Sequence, residues 1–476
     1  MANKSTYESW SQRQLKRIHF VGIGGVGMGG IAEIFISLGY AVSGSDQRGN
    51  ALTERLASLG AEIFVGHEAM HVTDAGVVVV STAIPESNPE LVEARRMRIP
   101  VIRRAEMLAE LMRLKRGIAI AGTHGKTTTT SLTASLLIES GLDATYVIGG
   151  KLKSSGSNAR LGDSQWLVAE ADESDASFLH LQPYISVVTN IDEDHMDTYE
   201  GSRDKLLDTF VEFIHNLPFY GLAVLCGDDS AVREIMPRLK RRHMTYGFQE
   251  HNDYVIEVIE EIGFASVFNV CGPNGFKLKN VKLSIPGRHN ILNAVAGIVV
   301  GHELGINLPS GINALESFLG VGRRLEVAGT FEIGGGDALV VDDYGHHPTE
   351  IKATLSAAKS AFKDRRLVVI FQPHRYTRTR DLFDDFVANL FDTQLLVLMD
   401  VYAAGEQALP KADSKTLAAA IRTRGGNSPL VVSTPEDVIE LLPNIVEPND
   451  VILTMGAGNV GTLPALIKAS FDQRAS

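Results

Sequence analysis

The apolar run Gly117–Ala121 passes directly into Gly122-Thr123-His124-Gly125-Lys126-Thr127 and then into a helical stretch, Thr128–Ser140. No other feature restricts the fold as much. A buried strand that ends in a glycine loop, with Lys-Thr where a helix opens, requires a βαβ framework. It also gathers backbone N–H groups, one ammonium and one hydroxyl around a single point. Gly122, Thr123, His124, Gly125, Lys126, Thr127 and Thr128 are therefore candidates to hold a nucleoside triphosphate and its magnesium ion. The loop departs from the common phosphate-loop pattern, because Ile120 stands where the first glycine belongs. A strand–Gly-Lys-Thr–helix run can arise by chance. Against that, the positive end of a helix disfavours a lysine that faces no anion.

A second passage of the same kind lies upstream. The strand Arg17–Val21 runs into Gly22-Ile23-Gly24-Gly25-Val26-Gly27, and a helix through Ile31, Ile34, Phe35 and Leu38 stops at Gly39. Gly22, Gly24 and Gly27 fit G-x-G-x-x-G, a spacing that lets backbone approach a diphosphate at a helix N-terminus. The next strand candidate is Tyr40–Ser43, and beyond it Ser45 leads to Asp46, 19 residues after Gly27, where a ribose-binding acid sits in dinucleotide enzymes. Read alone, this loop favours NAD. The bland alternative is a tight turn with no ligand, but five glycines within Gly22–Gly29 are hard to explain by packing.

The rest of the chain continues the alternation. Val77–Val80, Trp166–Ala169, Ile185–Thr189 and Leu222–Leu225 read as strands, and the stretch 251–285 alternates like antiparallel strands around a Gly-Pro-Asn-Gly turn. Pro286–Asn290 opens a helix from Ile291. After Gly322-Arg323-Arg324 a third series has strands at Ala338–Val341, Leu367–Phe371, Leu395–Met399 and Val451–Thr454. The expected fold is α/β in three domains. Residues 1–115 form a Rossmann-like domain, 116–322 a central phosphate-loop ATPase-type domain with a mostly parallel sheet, and 323–476 a second Rossmann-like domain.

Bulk properties exclude more than they identify. A net charge of −12 argues against nucleic acid as a partner. No run reaches the roughly 20 apolar residues that would insert in a membrane. Met1–Arg17 is polar and unlike a signal peptide, and two cysteines, Cys226 and Cys271, make no disulfide framework. A cytoplasmic protein, monomer or homodimer, is expected.

Two acidic segments end strands of the central series: Glu170–Asp175 and Asn190–Asp197. Carboxylates at the carboxyl ends of parallel strands beside a phosphate loop are where a magnesium site belongs. Most acids in such loops are simply solvated, and on these grounds alone His195 is as easily structural as a ligand.

Taken in order, Gly22–Gly27, Gly122–Thr127, Glu170–Phe178, Asn190–Asp197, Gly287–Asn293, Gly322–Arg324, Asp342–Pro348 and Gln372–Asp381 resemble the Mur ligases through nearly the whole chain. Within that family the likeness is greatest to the members that join L-alanine to UDP-N-acetylmuramate. The resemblance implies that the first domain binds the UDP-sugar, the second binds ATP, and the third closes over ATP and admits the amino acid. It implies ATP and Mg2+ as cofactors. It makes Lys126 the lysine on the γ-phosphate, and Thr127, Glu170 and His195 the metal ligands. His289, Asn290, Asn293, Arg324 and Asp343 correspond to further ATP contacts. On the sugar side it points to Gly22, Gly24, Gly25, Val26, Gly27, Ser45, Asp46, His67, Ser81, Thr82 and Ala83. Tyr344, His346, Arg375 and Arg378 correspond to positions around the amino acid and substrate carboxylate, with His346 and Arg375 counted as catalytic.

One departure stands out. Several sister ligases carry a carbamylated lysine fifteen residues after the metal histidine; here that position is Phe210, the nearest lysine is Lys205, and no carbamate is expected. Two readings compete with the alanine-adding ligase: a recycling ligase that attaches a whole peptide to the same UDP-sugar, and an NAD-dependent oxidoreductase. A nucleotide-gated binding protein is a third. The last two leave either the second glycine loop or the muramate chemistry unused.

Overall fold

The computed structural model describes residues 17–152 and 156–475, so the polar opening stretch, apart from Arg17, lies outside the described residues. Three sheets carry the chain. The first is wholly parallel in the order β3-β2-β1-β4-β5, from β1 (Ile18–Val21), β2 (Val42–Asp46), β3 (Glu62–Val65), β4 (Val77–Val80) and β5 (Val101–Arg103). Strand order reverses at β1, so a crevice opens at its carboxyl end, and Gly22–Gly27 lies there.

The second sheet holds β6 (Arg116–Ala121), β7 (Thr145–Leu152), β8 (Ser157–Arg160), β9 (Trp166–Glu170), β10 (Ile185–Val188), β11 (Leu222–Cys226), β12 (His243–Gly247), β13 (Tyr254–Ile262), β14 (Ala265–Cys271) and β15 (Lys277–Leu283). Its order is β15-β14-β13-β12-β11-β10-β6-β9-β7-β8. β6 lies between β10 and β9, parallel to both, which sets the phosphate loop directly beside the two acidic segments. The stretch 251–285 forms β13, β14 and β15, which extend the sheet in sequence beyond β12, and β13 runs parallel to β12.

The third sheet runs β16-β17-β21-β18-β19-β20, from β16 (Glu326–Ile333), β17 (Gly336–Asp343), β18 (Leu367–Phe371), β19 (Leu395–Met399), β20 (Leu430–Val432) and β21 (Val451–Met455). Only the β16–β17 pairing is antiparallel. β10, β11, β18 and β21 are buried along their whole length, as strands covered on both faces must be, which is why they read as apolar runs interrupted only by Ser186 and Thr454.

The chain forms two compact units: Met1–Glu257 with Phe268–Lys282 and Leu292–Phe318, and Val258–Val267 with Leu283–Ile291 and Leu319–Ser476. Within the first unit the two leading sheets share a core. The helix Val26–Ser37 packs on β7 and β8, so that Met28, Ile31 and Phe35 join Ala119, Val147 and Ala159 in one apolar cluster. Each such fully buried large side chain contributes about 2 kcal/mol. Asn158 Nδ2 donates to Val26 O at 2.6 Å, and Arg104 pairs with Asp172 at 3.1 Å, which tie the first glycine loop to the central sheet. Phe210 sits in this core and Lys205 is paired with Glu200. Among the described residues no helix is long and apolar enough to cross a membrane.

Candidate active site

The phosphate loop is built by backbone that only glycine accepts. Gly122 and Gly125 have φ of 128° and 84°; a Cβ on Gly122 would collide with Thr189 Oγ1, and one on Gly125 would lie 2.7 Å from Asn293 Oδ1. The helix opens at Lys126, two residues earlier than periodicity indicated, because Gly125 supplies its left-handed N-cap. The loop is fastened to the end of β10. His124 N donates to Asn190 Oδ1 at 2.8 Å, Thr189 Oγ1 donates to His124 O at 2.6 Å, and Asp192 N donates to Thr123 Oγ1 at 2.8 Å. His124 Nε2 lies 3.0 Å from Asp192 Oδ2. Asn293 accepts from Thr129 at 3.1 Å and so braces the loop from behind, while Thr128 is buried in the helix.

Lys126 folds back over its loop. Its ammonium donates to Gly122 O at 2.7 Å and Thr123 O at 3.1 Å, and meets Glu173 at 2.7 and 2.9 Å. Burial opposes the ammonium charge, but Glu173, with Asp172 and Glu170, outweighs it and raises the pKa. Burial, reinforced by Asp172, pushes the Glu173 carboxyl up to about 7 despite Lys126. A carboxyl raised in the folded state stabilises below about pH 4.5, and that contribution is lost as pH rises through 7. Denaturant titrations between pH 5 and 7.5 are therefore expected to show stability falling with pH, and Glu173→Gln to flatten the slope. An unaltered slope in the variant would place the titration elsewhere.

Thr127 and Glu170 are brought together, with Thr127 Oγ1 donating to Glu170 Oε2 at 3.2 Å while Gly149 N donates to Oε1 at 2.6 Å. His195 stands on the next loop at φ 53°, its Nε2 3.5 Å from Asp194 Oδ2. The two loops are laced by Thr198 Oγ1 donating to Ser174 O at 2.6 Å and by Tyr199 OH donating to Glu173 O. Among the described residues no trio of His, Cys, Asp or Glu ligand atoms includes Glu170 or His195.

At the first loop, Gly24 N donates to Asp46 Oδ2 at 2.9 Å and Asn50 Nδ2 donates to Gly24 O at 3.1 Å. Gly25 N closes the turn onto Gly22 O, and Gly27 backs onto Arg104. Gly22 faces Ser81 and Ile84 across the switch point, whereas Thr82 and Ala83 are exposed on the turn after β4. His67 lies 3.0 Å from Ser45 Oγ.

In the second unit, Asp343 ends β17 fully engaged by its own neighbours. It accepts from Leu325 N at 2.8 Å, Gly345 N at 2.8 Å and Thr354 Oγ1 at 3.0 Å, and burial raises its pKa. Tyr344 lies under two guanidinium groups, Arg323 at 5.0 Å and Arg324 at 5.5 Å from its ring centre. Glu350 accepts from His346 N at 3.0 Å and lies 3.7 Å from Arg324. His346 meets Tyr344 and His374 edge-on, and His374 stacks on Tyr402. Arg378 is buried with Nη1 donating to His374 O at 3.2 Å, while Arg375, at φ 71°, is half-buried with its guanidinium 4.0 Å from Glu406. Burial, then His346 and the two arginines, pushes His374 down to about 4; burial and Arg324 do the same to His289. Asn290 Nδ2 donates to Pro286 O at 2.7 Å, shaping the turn that carries His289.

Sequence reasoning missed Glu173, Glu350, His374, Tyr402 and Glu406. Only Glu173 and His374 lay inside runs already singled out.

Three family models cover this chain in succession: the Mur ligase family catalytic domain over residues 17–116, the Mur ligase middle domain over 120–301, and the Mur ligase glutamate ligase domain over 323–458. The chain belongs to the Mur ligase family. It is 56% identical to the UDP-N-acetylmuramate–L-alanine ligase of Methylococcus capsulatus over 451 residues, 95% of each chain. The solved UDP-N-acetylmuramate-alanine ligase of Thermotoga maritima is 30% identical, with a TM-score of 0.79 over 96% of this chain and 99% of that one. A murein peptide ligase from Psychrobacter arcticus shares the fold at 24% identity and a TM-score of 0.70, covering 96% of this chain and 98% of that one. Membership makes this Mur ligase an ATP-dependent enzyme and accounts for the second glycine loop and the third sheet, which an oxidoreductase leaves unexplained.

Proposed function

We propose that this Mur ligase joins L-alanine to UDP-N-acetylmuramate at the expense of ATP. The observation that carries the reading is 56% identity to an alanine-adding ligase along 95% of both chains. A carboxylate and an amine do not condense in water, so the muramate carboxylate takes a phosphoryl group as an acyl phosphate, and the amine of L-alanine then displaces phosphate. Lys126 and the loop N–H groups face the charge that spreads over the transferring group. Lys126 must exchange Glu173 for phosphate oxygens, and Glu173, held near neutrality, can take up a proton as it is released. Thr127 and Glu170 offer hard oxygen donors 3.2 Å apart, a pair that suits Mg2+, with His195 on the adjoining loop. When bound, the ion neutralises phosphate charge. Arg375 and Arg378 supply guanidinium forks for carboxylates, and His346, anchored through Glu350, orients the amine. The domain limits near 115 and 322, and the cytoplasmic setting in which these substrates are made, belong to the same proposal.

If Glu170 and His195 share the ion, replacing either with alanine raises the magnesium needed for half-maximal rate far more than the alanine needed. Magnesium titrations that are unchanged in both variants would make the two residues structural.

The first loop separates this function from NAD chemistry. Thermal-shift titration is expected to show stabilisation by UDP-N-acetylmuramate and none by NAD at millimolar concentration. Gly24→Val should abolish that shift and spare the ATP response, because a Cβ there already lies 2.7 Å from Asn50 Nδ2 and 2.8 Å from Asp46 Oδ2. Tight NAD binding without a UDP-sugar response would end the ligase reading.

A further inference from the structure

Four elements at the edge of the first sheet direct polar side chains onto one carboxylate that no sequence motif accounts for. Glu90, near the start of the helix Pro89–Arg96, has no solvent exposure. Its Oε2 accepts from Ser45 Oγ at 2.6 Å and lies 3.0 Å from His67 Nδ1. Its Oε1 lies 2.7 Å from His71 Nδ1 and 3.6 Å from His19 Nε2. The His71 ring is stacked on Phe64 with centroids 4.1 Å apart, and Asn88 caps the Glu90 N–H. Burial works against the charge here, but the nearby His19 imidazole and the hydrogen bonds from Ser45 and His71 outweigh it and hold the carboxyl down to about 2.

An ionised carboxylate only accepts hydrogen bonds. Ser45 has committed its one hydroxyl proton to Glu90, so toward His67, 3.0 Å away, it is an acceptor too. Both neighbours of His67 Nδ1 therefore require a proton on that nitrogen. In neutral imidazole this leaves Nε2 as a bare acceptor. His67 also stands at the right place for a ligand. Ser45 precedes Asp46, whose carboxylate holds Gly24 N at 2.9 Å, so the ring lies at the carboxyl edge beside the first glycine loop.

We infer that Glu90 is a positioning residue that fixes His67 as a hydrogen-bond acceptor at Nε2, selecting a nucleobase with a ring N–H, as in uracil, over cytosine, whose ring nitrogen is itself an acceptor. The inference rests on the reading that the first domain binds the UDP-sugar. A buried acceptor facing an acceptor discriminates by about a hundredfold.

The test measures kcat and KM for UDP-N-acetylmuramate and its cytidine counterpart in the full-length enzyme and in Glu90→Gln, together with 15N spectra of the His67 ring. The native enzyme should prefer the uridine substrate about a hundredfold, with His67 protonated on Nδ1 alone. Glu90→Gln should raise KM for the uridine substrate about tenfold, leave kcat and the KM for ATP in place, and shrink the base preference below about tenfold. A merely structural Glu90 would lower stability without moving the base preference. A proton on Nε2 of native His67, or full discrimination in Glu90→Gln, overturns the role of Glu90, and the native spectrum decides even if the variant does not fold. A native enzyme that binds neither nucleotide sugar while showing the expected tautomer would instead overturn the reading of the first domain, and the base selection with it.

Discussion

Lys126→Ala is expected to lower turnover a hundredfold or more, about 3 kcal/mol of transition-state stabilisation, with folding nearly intact. The structure refines the reason. Lys126 is not a solvated surface lysine: it is held by two carbonyls of its own loop and by buried Glu173. Removing a partner from a buried ion pair ordinarily destabilises strongly. Here the abandoned carboxyl already titrates near 7, and without the ammonium it rises further, so it becomes neutral rather than stranded as a charge. Activity and stability should therefore separate. Steady-state ADP release and thermal unfolding on the same preparation check this. A folded Lys126→Ala enzyme that keeps half its turnover would remove Lys126 from the chemistry.

Asp342→Ala should destabilise the second unit by about 3 kcal/mol, a fall of several degrees in its unfolding midpoint. Asp342 is nearly buried and receives Arg323 Nε at 2.8 Å and Thr454 Oγ1 at 2.7 Å, while Arg323 also donates to Gly456 O at 2.7 Å. This knot joins the ends of β17 and β21. Without the carboxylate, a partly solvated guanidinium keeps only the Gly456 carbonyl and a buried hydroxyl keeps only the longer contact to Val341 O at 3.3 Å. Asp342→Asn keeps one acceptor and should cost about half as much. Differential scanning calorimetry of both variants tests the order; equal, small shifts would mean that solvent already screens Arg323.

What could be read from the chain alone was whatever is local. Val77–Val80, Leu367–Phe371 and Leu395–Met399 are the strands their apolar runs announce, and both glycine loops sit between strand and helix as their spacing requires. β3, β7 and β8 were not among the strands read from the chain; β7 and β8 lie against the helix Val26–Ser37, a neighbour that only the fold supplies. The stretch 251–285 holds β13, β14 and β15, as its alternation indicates, but alternation says nothing of how that set joins the rest of the sheet, and β13 pairs in parallel with β12. In the site, residues inside loop motifs were visible. Glu90 was not, since its meaning lies in four side chains from separate elements meeting one carboxylate. Glu173 sat in a visible acidic run, but nothing in sequence distinguishes it from Asp172 or Asp175; only burial against Lys126 does.

The central claim is that the enzyme couples ATP breakdown to amide formation between a UDP-linked muramate and a single amino acid. The most direct measurement is ADP release from ATP and magnesium with UDP-N-acetylmuramate, alone, with each amino acid in turn, and with the tripeptide L-alanyl-γ-D-glutamyl-meso-diaminopimelate, the product being weighed by mass spectrometry. The account predicts that sustained ADP release needs both the UDP-sugar and an amino acid, that L-alanine is the best of them, and that the product is UDP-N-acetylmuramoyl-L-alanine. ATP breakdown indifferent to the muramate, or a tripeptide preferred over L-alanine, would contradict it.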